Sequence, residues 1–333
     1  MQSEYVILCC DQSPYSGEGY LANEITHQLC ANYLCKLYED RLTKCLRSNQ
    51  YTRDRILPLY LILVAILLRC LQKNVIYLNY CPLWNPLVMG LSRVGVRLGP
   101  ITGSYNIVPR GASLINILKR KYLLPLLSNL GSKSLNRDIT YWSATPSVHS
   151  YLNSRDIKNF HGRPFLLRRF EKKISLKKVT NSVFIYANRH PMKNFDSVVK
   201  VIEHFSHFKV ILIGERSDQQ SVIYSANRTS KSEFSKFMSE CEYFLTLSYE
   251  DAGIASFEAI DMELSFLAPR ESAISRIFES VIDFSIEEAE TLEHKIRAIP
   301  MEHLIDVKKR NTEALIHYQR EAKRAYGLWA KCI

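Results

Sequence analysis

The 333-residue sequence contains no C-x-x-C pair, although it holds nine cysteines, seven of them before residue 82. Cys9 and Cys10 are adjacent, so neither a zinc spacing nor a dithiol redox spacing is present. An odd count without a secretory leader reads as reduced, buried thiols in a cytosolic protein. No leader is expected, because "EYVILCC", apolar within five residues of Met1, is short, lacks a basic flank and precedes no small-residue cleavage site. It is expected to be a first strand. Long hydrophobic runs are also lacking. The longest, "ILPLYLILVAILL" (Ile56–Leu68), has thirteen residues. As a helix it spans roughly 20 Å, against the ~30 Å hydrocarbon core of a bilayer. With Pro58 near its start, it is expected to be a buried helix. There is no repeat at solenoid spacing, no low-complexity tract and no D-x-D pair placed to hold a metal. No aromatic-and-basic nucleic-acid motif is present either.

What the sequence does contain is globular: 47% hydrophobic and 23% charged residues, in a length that fits two domains of ordinary size. The formal charge of +11 implies an anionic partner, either nucleic acid, acidic lipid or phosphorylated small molecules. Charge alone does not choose among them.

Apolar strands alternate with helical patterns. "YVILCC" (Tyr5–Cys10), "NVIYLNY" (Asn74–Tyr80), "RLGPIT" (Arg97–Thr102) and "ITYWSAT" (Ile139–Thr145) read as strands. A helix with Leu21, Ile25, Leu29 and Tyr33 on one face follows the first strand, and a second helical region runs from about Arg53 to Leu71. The charged, proline-bearing stretch from Asn159 to Ser182 is the best boundary. Beyond it come strands "VFIYAN" (Val183–Asn188), "FKVILIG" (Phe208–Gly214) and "EYFLTLS" (Glu242–Ser248), with intervening helices. One of these helices carries Val198, Val199, Ile202 and Phe205 behind a cap at Asn194 or Asp196. A basic amphipathic helix from Asp306 closes the chain, with Leu315, Tyr318, Ala322, Tyr326 and Trp329. The pattern predicts an α/β protein with mainly parallel sheets covered on both faces.

In open parallel sheets, ligands bind beyond the carboxyl ends of the strands. "NRHPMKNFD" places Arg189 and Lys193 at such a strand tip, ahead of a helix N-terminus, where a diphosphate would meet a guanidinium fork, an ammonium and free N–H groups. The competing reading is two solvated cations in a loop. "YEDAGIASFEAI" (Tyr249–Ile260) follows the strand "YFLTL" and carries Glu250 and Glu258 separated by seven residues, with Gly253 between them. Gly253 permits close backbone approach, the helix from about Ile254 offers its N-terminus to anionic oxygen, and both carboxylates can accept from neighbouring hydroxyls. Alternatively this is a strand-to-helix loop whose acids face water.

Together these segments resemble family 4 retaining glycosyltransferases. "YFLTLSYEDAGIASFEAI" is similar to that family's E-x7-E donor segment. "FIYANRHPMKN" with "FKVILIG" resembles its phosphate-clamp strand and the strand after it. The resemblance covers about residues 181–280. It implies a GT-B fold, two Rossmann-like domains with a cleft between them and a C-terminal helix returning to the N-terminal domain. The expected bounds are 1–165 (acceptor-binding), 166–310 (nucleotide-sugar-binding) and 311–333 (the returning helix). By the resemblance, Arg189 and Lys193 grip the donor diphosphate, Glu250 contacts the transferred sugar and Glu258 the ribose. The backbone from Gly253 through Ile254 to Ala255 lies beside the phosphates. "SGEGYLANEI" sits where the family has a glycine-rich loop, which puts Gly17 and Gly19 near donor or acceptor. "NYCPLWNPLVMG" and "LGPITGS" resemble transferases of bacterial O-antigen and lipopolysaccharide gene clusters, with Asn79, Trp84 and Asn85 lining the acceptor side. A turn with a packed tryptophan is the other reading.

The sequence departs from the family in places. The Arg189-to-Lys193 interval is one residue short, and Glu263 and Ser265 stand where glycine and proline are common. Where many members have a donor-contacting histidine, "GPITGSYN" offers Gly103, Ser104 and Tyr105. Ser104 takes the donor-side position.

The implied activity is metal-independent hexosyl transfer from a nucleotide-diphosphate sugar to a polyprenyl-linked glycan in surface-polysaccharide synthesis, with no further cofactor and no nucleic acid. A nucleotide-sugar epimerase or a catalytically dead scaffold on the same fold are the alternatives. "SLINILKRKYLLPLLSNLG" (Ser113–Gly131) mixes leucines with Lys119, Arg120 and Lys121. It reads either as a peripheral contact with the anionic inner face of the membrane or as a core helix with a solvated cap.

Overall fold

Strands that read as near-continuous apolar runs do so because both faces of a parallel sheet are covered. The computed structural model describes residues 4–13, 17–79, 81–103, 108, 112–143, 148, 160–161, 178–189, 193–227, 229–249 and 253–331. The chain divides into two units, 1–108 with 113–168 and 319–333, and 109–112 with 169–318.

In unit 1, strands β1 (Tyr5–Cys9), β2 (Cys35–Leu37), β3 (Asn74–Leu78) and β4 (Arg97–Leu98) form a parallel sheet in the order β2-β1-β3-β4. Alternate residues serve opposite cores. Val6, Leu8, Val75 and Tyr77 pack under α4 (Leu57–Cys70), α5 (Pro86–Gly90) and α7 (Leu124–Ser134). Ile7, Cys9, Ile76 and Leu78 pack under α1 (Gly17–Asn32) and the last turns of the chain. Two short helices, α2 (Arg41–Ser48) and α3 (Gln50–Arg55), precede α4, and α6 (Leu114–Leu118) leads through a π-helical turn (Lys119–Leu123) into α7. Trp329 anchors the final helix within this unit. Its Nε1 donates to the Leu98 carbonyl at 2.9 Å, and its ring lies 5.8 Å from that of Trp142. Trp142 belongs to β5 (Tyr141–Trp142), which pairs in parallel with β6 (Phe160–His161).

In unit 2, strands β7 (Ser182–Tyr186), β8 (Lys209–Ile213), β9 (Val222–Ala226), β10 (Tyr243–Leu245) and β11 (Ser265–Leu267) form a second parallel sheet, ordered β11-β10-β7-β8-β9. One face packs on α8 (Phe195–Glu203), α11 (Leu292–Arg297) and the start of α12 (Met301–Lys331). The other is aromatic. Phe184, Phe244 and Phe266 stack across three neighbouring strands at 6.2 Å spacings, beneath α9 (Lys231–Glu240) and α10 (Ile254–Asp261).

Several expectations are corrected. The region Arg53–Leu71 breaks into α3 and α4, with Pro58 in α4's first turn, where its missing N–H costs no hydrogen bond. The apolar run Ile56–Leu68 is not buried all round: Leu59, Leu63, Ile66 and Leu67 face solvent at 41–66% exposure. Strands β2, β9 and β11 were not expected, and α12 starts five residues ahead of Asp306. Most of 159–182, expected as the boundary, lies outside the described residues. No helix among the described residues is long and apolar enough to cross a membrane.

Candidate functional site

Sequence order separates β7 from β10 by two strands, yet the sheet makes them neighbours, in register from Val183 opposite Tyr243 to Ile185 opposite Leu245. Their carboxyl ends therefore open side by side. Asn194, in the left-handed region at φ 52, ties the two exits together. Its Nδ2 donates to the Leu247 carbonyl at 3.3 Å, and its Oδ1 accepts from Ser197 Oγ at 2.8 Å. Ser272 Oγ braces the β10 exit by donating to the Ser248 carbonyl at 3.0 Å. At the neighbouring strand end, Gly214 has φ 110, and a Cβ there would lie 2.3 Å from the Ala187 carbonyl oxygen. Only glycine fits.

Between these exits lies a shallow, open concavity, lined among others by Tyr186, Lys193, Thr246, Ser248, Gly253 and Ser256. Lys193 Nζ stands 4.7 Å from the centroid of the Tyr186 ring, a cation–π contact that holds the ammonium there. Gly253 is the N-cap of α10, with no side-chain cap, so the helix's first amides are not taken by a capping side chain. Helix dipole, ammonium and the hydroxyl-bearing Tyr186, Thr246, Ser248 and Ser256 thus meet in one place. The arrangement suits an anionic oxygen-rich ligand. Among the described residues no group of His, Cys, Asp or Glu side chains is arranged to hold a metal ion.

Of the residues singled out by sequence, Lys193, Gly253 and Ala255 line this concavity. Ile254 opens α10, and Glu258 lies one turn further on, 3% exposed. Arg189 is turned to solvent, its side chain 79% exposed, and pairs with Glu215 at 3.3 Å. Glu215, just past Gly214, was missed because its role depends on β8 lying beside β7. Glu250 and Ser104 lie outside the described residues. Tyr249, also missed, is buried with its hydroxyl unbonded among the described residues.

In unit 1, Gly17 and Gly19 form the first turn of α1 rather than a preceding loop. Asn79 is 6% exposed and left-handed at φ 51. Its Oδ1 accepts from the Cys10 amide at 3.0 Å, and its Nδ2 donates to the Asp11 carbonyl at 2.6 Å. The carboxamide thus clamps the exit of β1. Asn85 caps α5, its Oδ1 accepting from the Leu87 and Val88 amides at 3.2 and 3.3 Å, while Trp84 is 38% exposed. Around the β1 exit sequence reasoning missed a charged cluster. Asp11, 1% exposed, lies 3.5 Å from Arg53, and Arg47 Nη2 donates to the Cys9 carbonyl at 2.9 Å.

No protein-family model matches the sequence, and no match was found among curated proteins. Solved structures do match over the whole length. A sucrose-phosphate synthase from Thermosynechococcus elongatus is similar at TM-score 0.66 and 11% identity, covering 98% of each chain. HepE from Anabaena, solved in complex with UDP and glucose, gives TM-score 0.61 and 11% identity over 98% of this chain and 99% of its own. WaaG, a glycosyltransferase involved in lipopolysaccharide biosynthesis, gives 0.59 and 14% over 97% and 99%. Likeness at such identity speaks to architecture. The chain has the GT-B fold: two parallel-sheet α/β units and a helical C-terminus.

Proposed function

We propose that the chain is a retaining glycosyltransferase that moves a hexose-type sugar from a nucleotide diphosphate to a glycan carried on a polyprenyl diphosphate at the inner face of the membrane, in surface-polysaccharide synthesis. One observation carries the reading: Lys193 and the N-terminus of α10 face the same concavity at the joined exits of β7 and β10. As the glycosidic bond breaks, negative charge grows on the departing diphosphate. An ammonium and oriented amides aimed at that oxygen lower the barrier where the charge develops. Arg189 adds its guanidinium on release from Glu215. The cations and amides do the neutralising in place of a metal ion. Glu250 orients the sugar hydroxyls, Glu258 the ribose, and the leaving phosphate takes the acceptor proton. HepE, solved with UDP and glucose, supports a uridine diphosphate donor.

The test is a thermal-shift panel of UDP-, GDP-, ADP- and dTDP-sugars, followed by incubation of the best donor with lipid-linked acceptors. One donor class should raise the melting temperature. Lys193→Ala should cut turnover a hundredfold or more, the loss of one contact worth about 2.7–4 kcal/mol in the transition state. No shift with any nucleotide sugar would refute the proposal, and conversion of the donor without acceptor would replace transfer by epimerisation.

A further inference from the structure

Unit 1 carries an apolar surface that sugar transfer does not use. α6, "LINIL", buries none of its five residues, and Leu114 and Ile115 are 71% and 78% exposed. Tyr122 in the π-helical turn, then Leu126 and Leu130 in α7, continue the exposed row. α4 contributes a second row, Leu59, Leu63 and Leu67, at the i, i+4 spacing that puts side chains on one face. Because α4, α5 and α7 cover the same sheet face through one core of Leu61, Ala65, Val88, Met89 and Leu124, these outward rows belong to one layer. Exposed apolar surface of this extent marks an interaction site.

Charge identifies what covers it. From Arg55 to Arg137, the span that contains this layer, the sequence has eleven Lys and Arg and no Asp or Glu. The remainder, with 33 of each sign, is balanced. Lys73, Lys119, Lys121 and Lys133 are exposed. Arg69 Nε donates to the Val94 carbonyl at 3.0 Å and Arg93 Nε to that of Ser134 at 2.9 Å, which stitches the layer together without removing its charge. A second copy would oppose like charges with no acid between them. A nucleic acid would leave the leucines uncovered. An anionic bilayer satisfies both sets of groups, with headgroups at the cations and the acyl boundary at the leucines.

We propose that the α4–α7 layer of unit 1 docks on an anionic lipid bilayer, with α6 entering the boundary between headgroups and acyl chains. This deepens the reading of a lipid-linked acceptor. The experiment is co-sedimentation of the full chain with vesicles of phosphatidylcholine, alone or with one-third phosphatidylglycerol. The protein should pellet with the anionic vesicles at low ionic strength and be released by salt. Lys119→Gln with Lys121→Gln should weaken binding roughly twenty-five-fold, about fivefold per lysine. Leu114→Ser with Ile115→Ser and Leu118→Ser should abolish binding while changing thermal melting little, because none of these side chains is buried. Wild-type protein left in the supernatant, or equal binding by wild type and both variants, would overturn the proposal. So would a solution dimer that the triple serine variant dissolves. Vesicle binding is read without donor or acceptor, so its failure and a failure of sugar transfer are distinguishable.

Discussion

Substituting Gly253 separates what the protein needs from what a ligand needs. Its backbone, at φ −83 and ψ 113, lies in a region open to every L-residue. A Cβ there would meet, among the described residues, only Ser256 Oγ at 3.5 Å, an ordinary contact. Alanine should therefore leave the fold intact: restricting the unfolded chain contributes about 0.4–1 kcal/mol, and alanine's poorer standing at a helix N-cap offsets a similar amount. The same methyl group would project at the N-terminus of α10 into the concavity shared with Lys193. An anionic oxygen displaced from one helix-terminal amide loses about 1.5–3 kcal/mol, roughly ten- to a hundredfold in Kd. The assay pairs a melt of the ligand-free protein with calorimetric titration of UDP. Gly253→Ala should melt close to the wild-type temperature and bind UDP at least tenfold more weakly, with Gly253→Val weaker still. Unchanged affinity would refute the placement of the anion at α10, and a melting temperature several degrees lower would refute the steric reasoning.

Two further outcomes test the surroundings. Gly214→Ala combines about 1–2 kcal/mol of left-handed strain with about 1–3 kcal/mol of displacement from the Ala187 carbonyl 2.3 Å away; the urea midpoint should fall accordingly at constant slope, and an unchanged midpoint would contradict the geometry. For Asp40, burial pushes the carboxyl pKa up, but hydrogen bonds from Tyr60, the Thr43 amide and Tyr38 outweigh it and hold the group well below the usual carboxylate range. Its stabilisation is present above about pH 4 and lost as pH falls through the folded-state value. Tyr60→Phe raises that value, so the stability gap between wild type and variant should be widest near neutrality and close towards strong acid; a gap independent of pH would refute the linkage.

The alternation of strands and helices was legible because "NVIYL" and "KVILI" are buried on both faces, which no loop or surface strand imitates. Three-residue edge strands such as β2 and β11 are too short for any period to register. α4 was misread for a different reason. Its solvent-facing row is as apolar as its buried one, so the sequence offers no polar stripe from which an exposed face could be inferred. Lys193 and Gly253 stand out by local pattern, but their meeting in one concavity depends on β7 lying beside β10, which linear spacing does not encode. Asn79 shows the converse. A strand-end asparagine reads as a ligand contact, and only the left-handed backbone and the Cys10 and Asp11 partners reveal a clamp.

The distribution of charge changes what the net value of +11 means. Unit 2, which holds the candidate site, carries 21 Lys and Arg against 23 Asp and Glu, whereas unit 1 carries 23 against 10. The surplus that composition assigns to an anionic partner is thus absent from the half that would bind a diphosphate. Screening over about 8 Å at physiological ionic strength confines what distant cations contribute there, so recognition must come from groups at the concavity itself. Lys193 is suited to that because the Tyr186 ring holds its ammonium in place, and α10 adds fixed amides that salt does not displace. An acid-free surface spread over four helices, by contrast, matches no compact ligand. It matches an extended plane of negative charge, and the leucines standing among its cations require that plane to have an apolar interior.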